Sequence, residues 1–403
     1  IMPSLVGSEM CIRDRQTTGL INENGSPIGS RIERIYSATE GEIGGSKKIL
    51  VGTNNYLGLT FEKECIEAGH EAARQYGTGT TGSRMANGSY ADHLALESDL
   101  ADFYGVGHCI VFSTGYVANL GMICSLVGPE NTIFLDEHCH ASIYDGCKLS
   151  GASIIHFRHN NAADLDKRLR RLGDDSANAL IITEGLYSML GDKAALREIV
   201  EVKKKYDALL MLDEAHSLGV LGATGRGLAE DLGVEDDIDF ITGTFSKSLA
   251  GLGGFCVSRH AELEAVRFSS RPYVFTASPS PATIGSVRAA LRIMRARPEL
   301  QKQLWDNATF LYQGLDAMGF ELGPEIGPVI AVNAGEKENA LFMWKAIFDQ
   351  GIYVNVVFPP ATPNSSCLLR CSVSAAHSRE QMQAVLDAFT QFEQTTPATA
   401  AQV

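Results

Sequence analysis

No uninterrupted run of 18 apolar residues occurs in this 403-residue chain, and that is the length a membrane-crossing helix needs. The best stretch, 109–127, is broken by Ser113, Thr114, Gly115, Asn119 and Gly121, so peripheral membrane contact is the most that is expected. A basic start, apolar block and small-residue cleavage site are also missing, which argues against secretion. The nine cysteines form no Cys-x-x-Cys pair and are odd in number, a usage that fits reduced thiols in the cytoplasm. Cys367 and Cys371 stand too far from other ligand types to read as a zinc site, and no metal is expected. Basic charge is in deficit: 34 Lys and Arg against 48 Asp and Glu leave a net charge of −14, which argues against nucleic-acid binding or adhesion to an anionic membrane. Without Gly-Lys-Ser/Thr there is no P-loop, and without Gly-x-Ser-x-Gly there is no serine-hydrolase elbow.

What is present is ordinary for a globular protein, with 45% hydrophobic and 20% charged residues. The length calls for two domains. Residues 1–15, which include Met10-Cys11-Ile12-Arg13-Asp14, read as the translation of a sequencing-library linker foreign to the fold. The tail from 395 to 403 is expected to fray. Between them, short apolar runs at 109–113, 132–135, 153–157, 179–183, 208–212, 240–242 and 254–257 alternate with amphipathic stretches such as 163–172 and 196–206. That alternation predicts an α/β domain with a mostly parallel sheet covered by helices. The pattern changes near 286 to a smaller α+β domain, with helices at 305–318, 339–350 and 379–392 and strands at 328–332, 352–357 and 368–373. The expected division is an N-terminal arm over 1–45, a large domain over 46–285 and a small domain over 286–403.

Ligands of such sheets lie beyond the carboxyl ends of the strands, and Ser113, Asp136, Glu184, Asp213 and Thr244 all fall there. Lys247, in Thr244-Phe245-Ser246-Lys247, follows one strand, and Asp213, in Asp213-Glu214-Ala215-His216, ends another. A lysine beside small hydroxyls and an aspartate at a neighbouring strand end suit pyridoxal phosphate: the lysine bonds the aldehyde, the aspartate keeps the ring nitrogen protonated, and the hydroxyls hold phosphate. Alone, Lys247 would be a solvated charge, and Asp213 with His216 a salt bridge beside a surface histidine. Gly115, between Thr114 and Tyr116, opens a helix whose free amides form a phosphate seat or simply a turn. His138 and His140 have the spacing of a metal pair but lack a third ligand, and a ring stacking on a flat cofactor is the other use for one of them. Gly77-Thr78-Gly79-Thr80-Thr81-Gly82 matches Gly-x-Gly-x-x-Gly, yet a helical pattern precedes it, which disfavours a dinucleotide site. It reads either as a plain turn or as a loop over substrate, with Ser83 and Arg84 at its exit. Arg370, in the alternating run 368–373, suits a bidentate grip on a carboxylate or is an ordinary strand arginine.

Together these segments resemble the α-oxoamine synthases, fold-type I pyridoxal phosphate enzymes of aspartate-aminotransferase-like architecture. The likeness runs from about Ile35 to Phe392 and includes Asn54-Asn55-Tyr56-Leu57-Gly58, the run 77–84, His140-Ala141-Ser142-Ile143-Tyr144-Asp145-Gly146, the run 213–217 and the run 244–247. The runs 183–192, Arg271-Pro272-Tyr273-Val274-Phe275-Thr276-Ala277-Ser278 and Pro359-Pro360-Ala361-Thr362-Pro363 are similar to one soluble bacterial branch of that family, the serine palmitoyltransferases. The resemblance implies a homodimer that condenses L-serine with a long-chain acyl thioester such as palmitoyl-CoA, losing carbon dioxide and giving 3-ketosphinganine.

It also implies roles. Lys247 would hold pyridoxal phosphate, Asp213 its ring nitrogen, His216 its ring oxygen and His140 its ring face. Gly115, Tyr116, Thr244 and Ser246 would seat the phosphate, with Thr276 reaching the neighbouring subunit's cofactor. Asn55, Tyr56, Ser83 and Arg370 would contact substrate. Phe358 departs from family members that place an arginine before the Pro-Pro run, which shifts carboxylate binding toward Arg370 and His140. Rival readings use glycine or alanine in place of serine, or make the chain a non-catalytic partner subunit; amino-acid preference and the presence of Lys247 discriminate them.

Overall fold

The structure, a computed structural model, describes residues 27–362 and 365–395; the foreign-looking segment 1–15, Pro363 and residues 396–403 lie outside them. Three strands come first: β1 (Ile32–Ser37), β2 (Glu40–Ile43) and β3 (Ser46–Leu50). Seven follow: β4 (His108–Phe112), β5 (Thr132–Asp136), β6 (Ser153–Phe157), β7 (Ala179–Glu184), β8 (Leu209–Asp213), β9 (Phe240–Thr244) and β10 (Gly254–Ser258). The last four are β11 (Val329–Gly335), β12 (Ile352–Tyr353), β13 (Asn355–Val357) and β14 (Cys367–Ser372). The chain divides into two compact units.

The larger unit holds Asn54–Ser188 and Asp192–Gln303. Its seven-stranded sheet has the order β4-β10-β9-β8-β7-β5-β6. The β5–β6, β5–β7, β7–β8 and β8–β9 pairs are parallel, and β10 runs antiparallel between β4 and β9. All six residues of β7, Ala-Leu-Ile-Ile-Thr-Glu, are buried, as expected of a central strand covered on both faces. The covering helices are amphipathic. In Ala162–Leu172, Leu165 and Leu169 are buried one turn apart while Arg170 and Arg171 occupy the last turn, and Asn161 Oδ1 caps the start by accepting from Asp164 N at 2.8 Å. Six strands therefore end on one edge of the sheet, and that edge carries the site.

The expected domain boundary at 285/286 cuts the helix Pro281–Ala296, which belongs wholly to the larger unit. Small residues fix it against Lys63–Tyr76. A Cβ on Gly285 would lie 2.6 Å from Ala68 O, one on Gly69 would lie 2.5 Å from Ser286 Oγ, and Ser286 Oγ donates to Cys65 O at 2.8 Å. Backbones packed this closely join the helices into one body, so the chain leaves the larger unit only after Gln303.

The smaller unit holds the described residues up to Thr53, Met189–Gly191 and those from Leu304. One of its sheets has the order β1-β2-β3-β12 and the other β11-β14-β13. The segment expected as an arm is thus three strands of a sheet closed by β12, and the single strand expected over 352–357 divides between both sheets.

Arg84, expected at a loop exit, is buried. Its guanidinium lies 3.0 Å from Glu97 and donates to Val111 O at 3.2 Å. Arg267 meets the other Glu97 oxygen at 3.0 Å, and Val111 N donates to the first at 2.9 Å. One carboxylate thus bridges two guanidinium groups, and Arg267 also pairs with Glu264 at 2.6 Å. Glu97→Ala strips both of their shared partner, and denaturant unfolding should show a loss of about 3–5 kcal/mol; a loss below about 1 kcal/mol would contradict the arrangement.

Candidate active site

Each functional side chain is delivered by a strand end or the turn after it. Beyond β4, Thr114 caps the helix Gly115–Leu126, its Oγ1 accepting from Val117 N at 3.0 Å. Past β5, His140 caps Ala141–Ser150. Glu184 and Asp213 end β7 and β8, and Thr244 ends β9 three residues before Lys247. These ends surround a cavity of about 260 Å³ lined by Lys247, His140, Asp213, His216, Gly115, Tyr116, Thr244 and Ser246, all expected from sequence. Thr114, Asn119, Ser142, Glu184 and Leu252 line it as well.

At one end of the cavity lies Asp213. Its Oδ1 accepts from Ala215 N at 2.8 Å and its Oδ2 from Asn119 Nδ2 at 2.7 Å. His216 is buried and its Nδ1 lies 2.7 Å from Tyr56 Oη. The backbone N–H of His140 donates to Glu184. Burial, and next the charge of Asp213, push the Glu184 carboxyl well above its ordinary value. His140 Nδ1 accepts from Ser142 N at 3.2 Å and lies 2.8 Å from Ser142 Oγ. Burial holds the pKa of this ring below the ordinary histidine value, and the neighbouring Lys247 pushes it the same way.

The other end is built for an anion. The helix start at Gly115 presents free amides, and Thr244 Oγ1 lies 2.9 Å from Ser246 Oγ. A Cβ on Gly115 would sit 2.8 Å from Thr244 Cβ, so only glycine lets the backbone come this close to β9. A phosphate seat at one end, a carboxylate acceptor at the other and a lysine between them match the donor set that a phosphorylated pyridine aldehyde requires. Lys247 stands in a tight turn in which Gly251 N donates to Phe245 O at 2.9 Å and Ala250 takes φ 51, a left-handed conformation costly for a residue with Cβ.

Five expected residues do not line the cavity. Asn55 is buried and donates from Nδ2 to Thr60 Oγ1 at 2.8 Å. Tyr56 adjoins the cavity only through His216. Ser83 turns inward on its own loop, its carbonyl accepting from Ala86 N and Gly88 N. Thr276 is half-buried in a bend after the helix Arg271–Val274. Arg370, in the smaller unit, is a buried β14 residue donating to Ser372 Oγ at 2.7 Å. Sequence reading had passed over Asn119 and Ser142. The signal for Asn119 was a lone amide in an otherwise apolar helix.

His138 does not pair with His140. It stacks on His159, with ring centroids 3.9 Å apart. His159 bridges two carboxylates, Nδ1 to Asp136 at 2.9 Å and Nε2 to Asp192 at 2.6 Å, and this pins the loop that carries His140. Burial opposes charge on His159, but hydrogen bonds to Asp136 and Asp192 outweigh it and lift the pKa to about 9; Asp136 is depressed despite its own burial. A raised histidine contributes its full stability below the unfolded value of 6.5 and loses it as pH rises through about 9. Depressed Asp136 contributes above its ordinary 3.8 and loses that as pH falls. The stability difference between the native protein and His159→Gln should therefore shrink from pH 6 to pH 9.5, by up to about 3 kcal/mol. Unfolding measured at both values checks this, and a constant difference would refute it.

The pattern of the family described as aminotransferase class I and II matches residues 46–389. A serine palmitoyltransferase of Caulobacter vibrioides is 54% identical over 364 residues, covering 90% of each chain. Another, from Sphingomonas paucimobilis, is 49% identical over 365 residues, covering 90% of this chain and 87% of the relative. A solved structure of SPT with a PLP internal aldimine aligns with TM-score 0.94 and 46% identity over 98% of both chains. With the glycine-lined seat, the strand-end aspartate and Lys247 in one cavity, these matches make the chain a member of the aminotransferase class I and II family, in its α-oxoamine synthase branch and with the fold-type I architecture.

Proposed function

We propose that the protein condenses L-serine with a long-chain acyl thioester such as palmitoyl-CoA to give 3-ketosphinganine, free thiol and carbon dioxide. The observation that carries this reading is Lys247 sharing a cavity with Asp213, His140 and His216 in a chain so similar to two serine palmitoyltransferases.

Pyridoxal phosphate, held at Lys247, supplies an electron sink for negative charge at the Cα of the amino acid. Gly115 and Tyr116 amides, with the Thr244 and Ser246 hydroxyls, would hold its phosphate. Asp213 would accept a hydrogen bond from the protonated ring nitrogen, and His216, oriented by Tyr56, would hydrogen-bond the ring oxygen. Lys247 Nζ takes the Cα proton of serine, and that carbon is acylated by the thioester as the thiol leaves. The serine carboxyl group then departs as carbon dioxide, and Lys247 returns a proton to Cα. His140 would cover the ring face, with its Nε2–H available to the serine carboxylate. Contacts of Asn55, Ser83 and Arg370 with substrate rest on the family resemblance alone.

The working form is a homodimer in which Thr276 completes the phosphate seat of the adjacent subunit. Phe268 and Phe275, 73% and 75% exposed on neighbouring elements, support it, because large apolar rings this open call for a covering surface. The protein works in the cytoplasm, which the eight free cysteines among the described residues favour. Among the described residues no helix is long and apolar enough to cross a membrane.

Two measurements test the assignment. With palmitoyl-CoA, kcat/KM for L-serine should exceed that for glycine and L-alanine at least about tenfold, a gap of roughly 1.4 kcal/mol in transition-state binding; preference for glycine or alanine moves the substrate within the family. Lys247→Ala should lose both the visible absorbance of the bound cofactor and turnover, and survival of either contradicts the role of Lys247.

A further inference from the structure

Asp213 and His140 both line the cavity, and hydrogen bonds lead from both to one buried amide. Asn119 is 3% exposed, and both of its N–H donors and its carbonyl are hydrogen-bonded. Its Nδ2 donates to Asp213 Oδ2 at 2.7 Å and to Ser142 Oγ at 2.9 Å, and its Oδ1 accepts from Thr242 Oγ1 at 2.9 Å. Chemistry fixes the direction of every bond. A carboxylate only accepts, so Asn119 must turn its NH2 toward Asp213, and its carbonyl then faces the Thr242 hydroxyl, which must donate. Ser142 Oγ receives the second Nδ2 hydrogen. His140 Nδ1 already accepts from Ser142 N, so it carries no proton, and the Ser142 hydroxyl must donate to it as well. The result is a one-way chain, Thr242 to Asn119, then Asn119 to Asp213 on one branch and through Ser142 to His140 on the other. It leaves His140 with its only N–H on Nε2.

We propose that Asn119 is a positioning residue that orients Asp213 and His140 together, setting the acceptor for the cofactor ring and the donor for the amino-acid carboxylate with a single side chain. This rests on the reading of the cavity as a pyridoxal phosphate and serine site. The physical case is satisfiability. Buried amides and hydroxyls lose heavily when left unpaired, and a flip of the Asn119 amide would set its carbonyl against the Asp213 carboxylate and draw the Ser142 hydroxyl away from His140. Ser142 is 1% and Thr242 1% exposed, so water does not substitute for either partner.

The two branches make the idea testable apart from the function. Asn119→Ala breaks both branches, Ser142→Ala only the His140 branch. Titration of cofactor-free protein with pyridoxal phosphate should show affinity weakened about ten- to hundredfold in Asn119→Ala, the loss of one hydrogen bond to a charged group, and changed less than about threefold in Ser142→Ala. In the loaded enzyme, Ser142→Ala should raise KM for L-serine several-fold with kcat little altered, whereas Asn119→Ala lowers kcat as well. Thr242→Val, nearly the same shape, leaves the buried Asn119 carbonyl without its donor and should reproduce a weaker form of the Asn119→Ala result if that variant folds poorly. Nitrogen-15 spectra of histidine-labelled protein, with His140 assigned by comparison with His140→Gln, should place its proton on Nε2. A proton on Nδ1, or equal cofactor affinity in Asn119→Ala and the native protein, overturns the proposal. If the variants separate in cofactor affinity while the native protein does not turn over L-serine, the positioning role stands and the assignment of the reaction falls.

Discussion

A carboxylate at the end of a buried strand sets the terms for the rest of this site. Asp213 follows four residues of β8, three of them buried, and its side chain is 5% exposed. A charge in that position survives only if neighbours supply hydrogen bonds and an opposite charge. The Ala215 amide and the Asn119 side chain do so within the protein and leave the remaining acceptor capacity of Asp213 for a ligand. The same field reaches outward. With burial, the charge of Asp213 raises the pKa of Glu184, and it opposes the depression of His140 that burial and Lys247 produce.

Geometry at the opposite end depends on absent side chains. Gly115 packs its Cα against Thr244, and Gly254 on β10 would place a Cβ 2.6 Å from Gly115 Cα. The backbones of the helix start, β9 and β10 therefore meet closely, and Gly115 and Tyr116 line the cavity beside them. The antiparallel insertion of β10 between β4 and β9 makes this meeting possible, since it brings the start of β10 to the edge where the other strands end.

Much of this was legible in the sequence because the central strands have a simple physical signature. Runs such as 179–183 are apolar on both faces and bounded by polar residues, so their ends, and with them Asp213, Thr244 and Lys247, could be placed to within one or two residues. The N-terminal sheet escaped because β1 is exposed at five of its six positions and shows no alternation to read. The helix Pro281–Ala296 was cut in two because Gly285 and Ser286 look like a break until Gly69 and Cys65 are seen against them. Asn119 had been noticed only as an interruption in an apolar stretch. Its importance is tertiary, since Thr242, Asp213 and Ser142 come to it from distant parts of the chain.

The central claim is that Asp213, fixed by Asn119, pairs with the protonated nitrogen of the cofactor ring. Nitrogen-15 spectroscopy of the protein reconstituted with pyridoxal phosphate labelled at the ring nitrogen reads that proton directly. A shift characteristic of a protonated pyridine at neutral pH, lost in Asp213→Asn, is the result this account predicts. A free, unprotonated nitrogen in the native protein would contradict it.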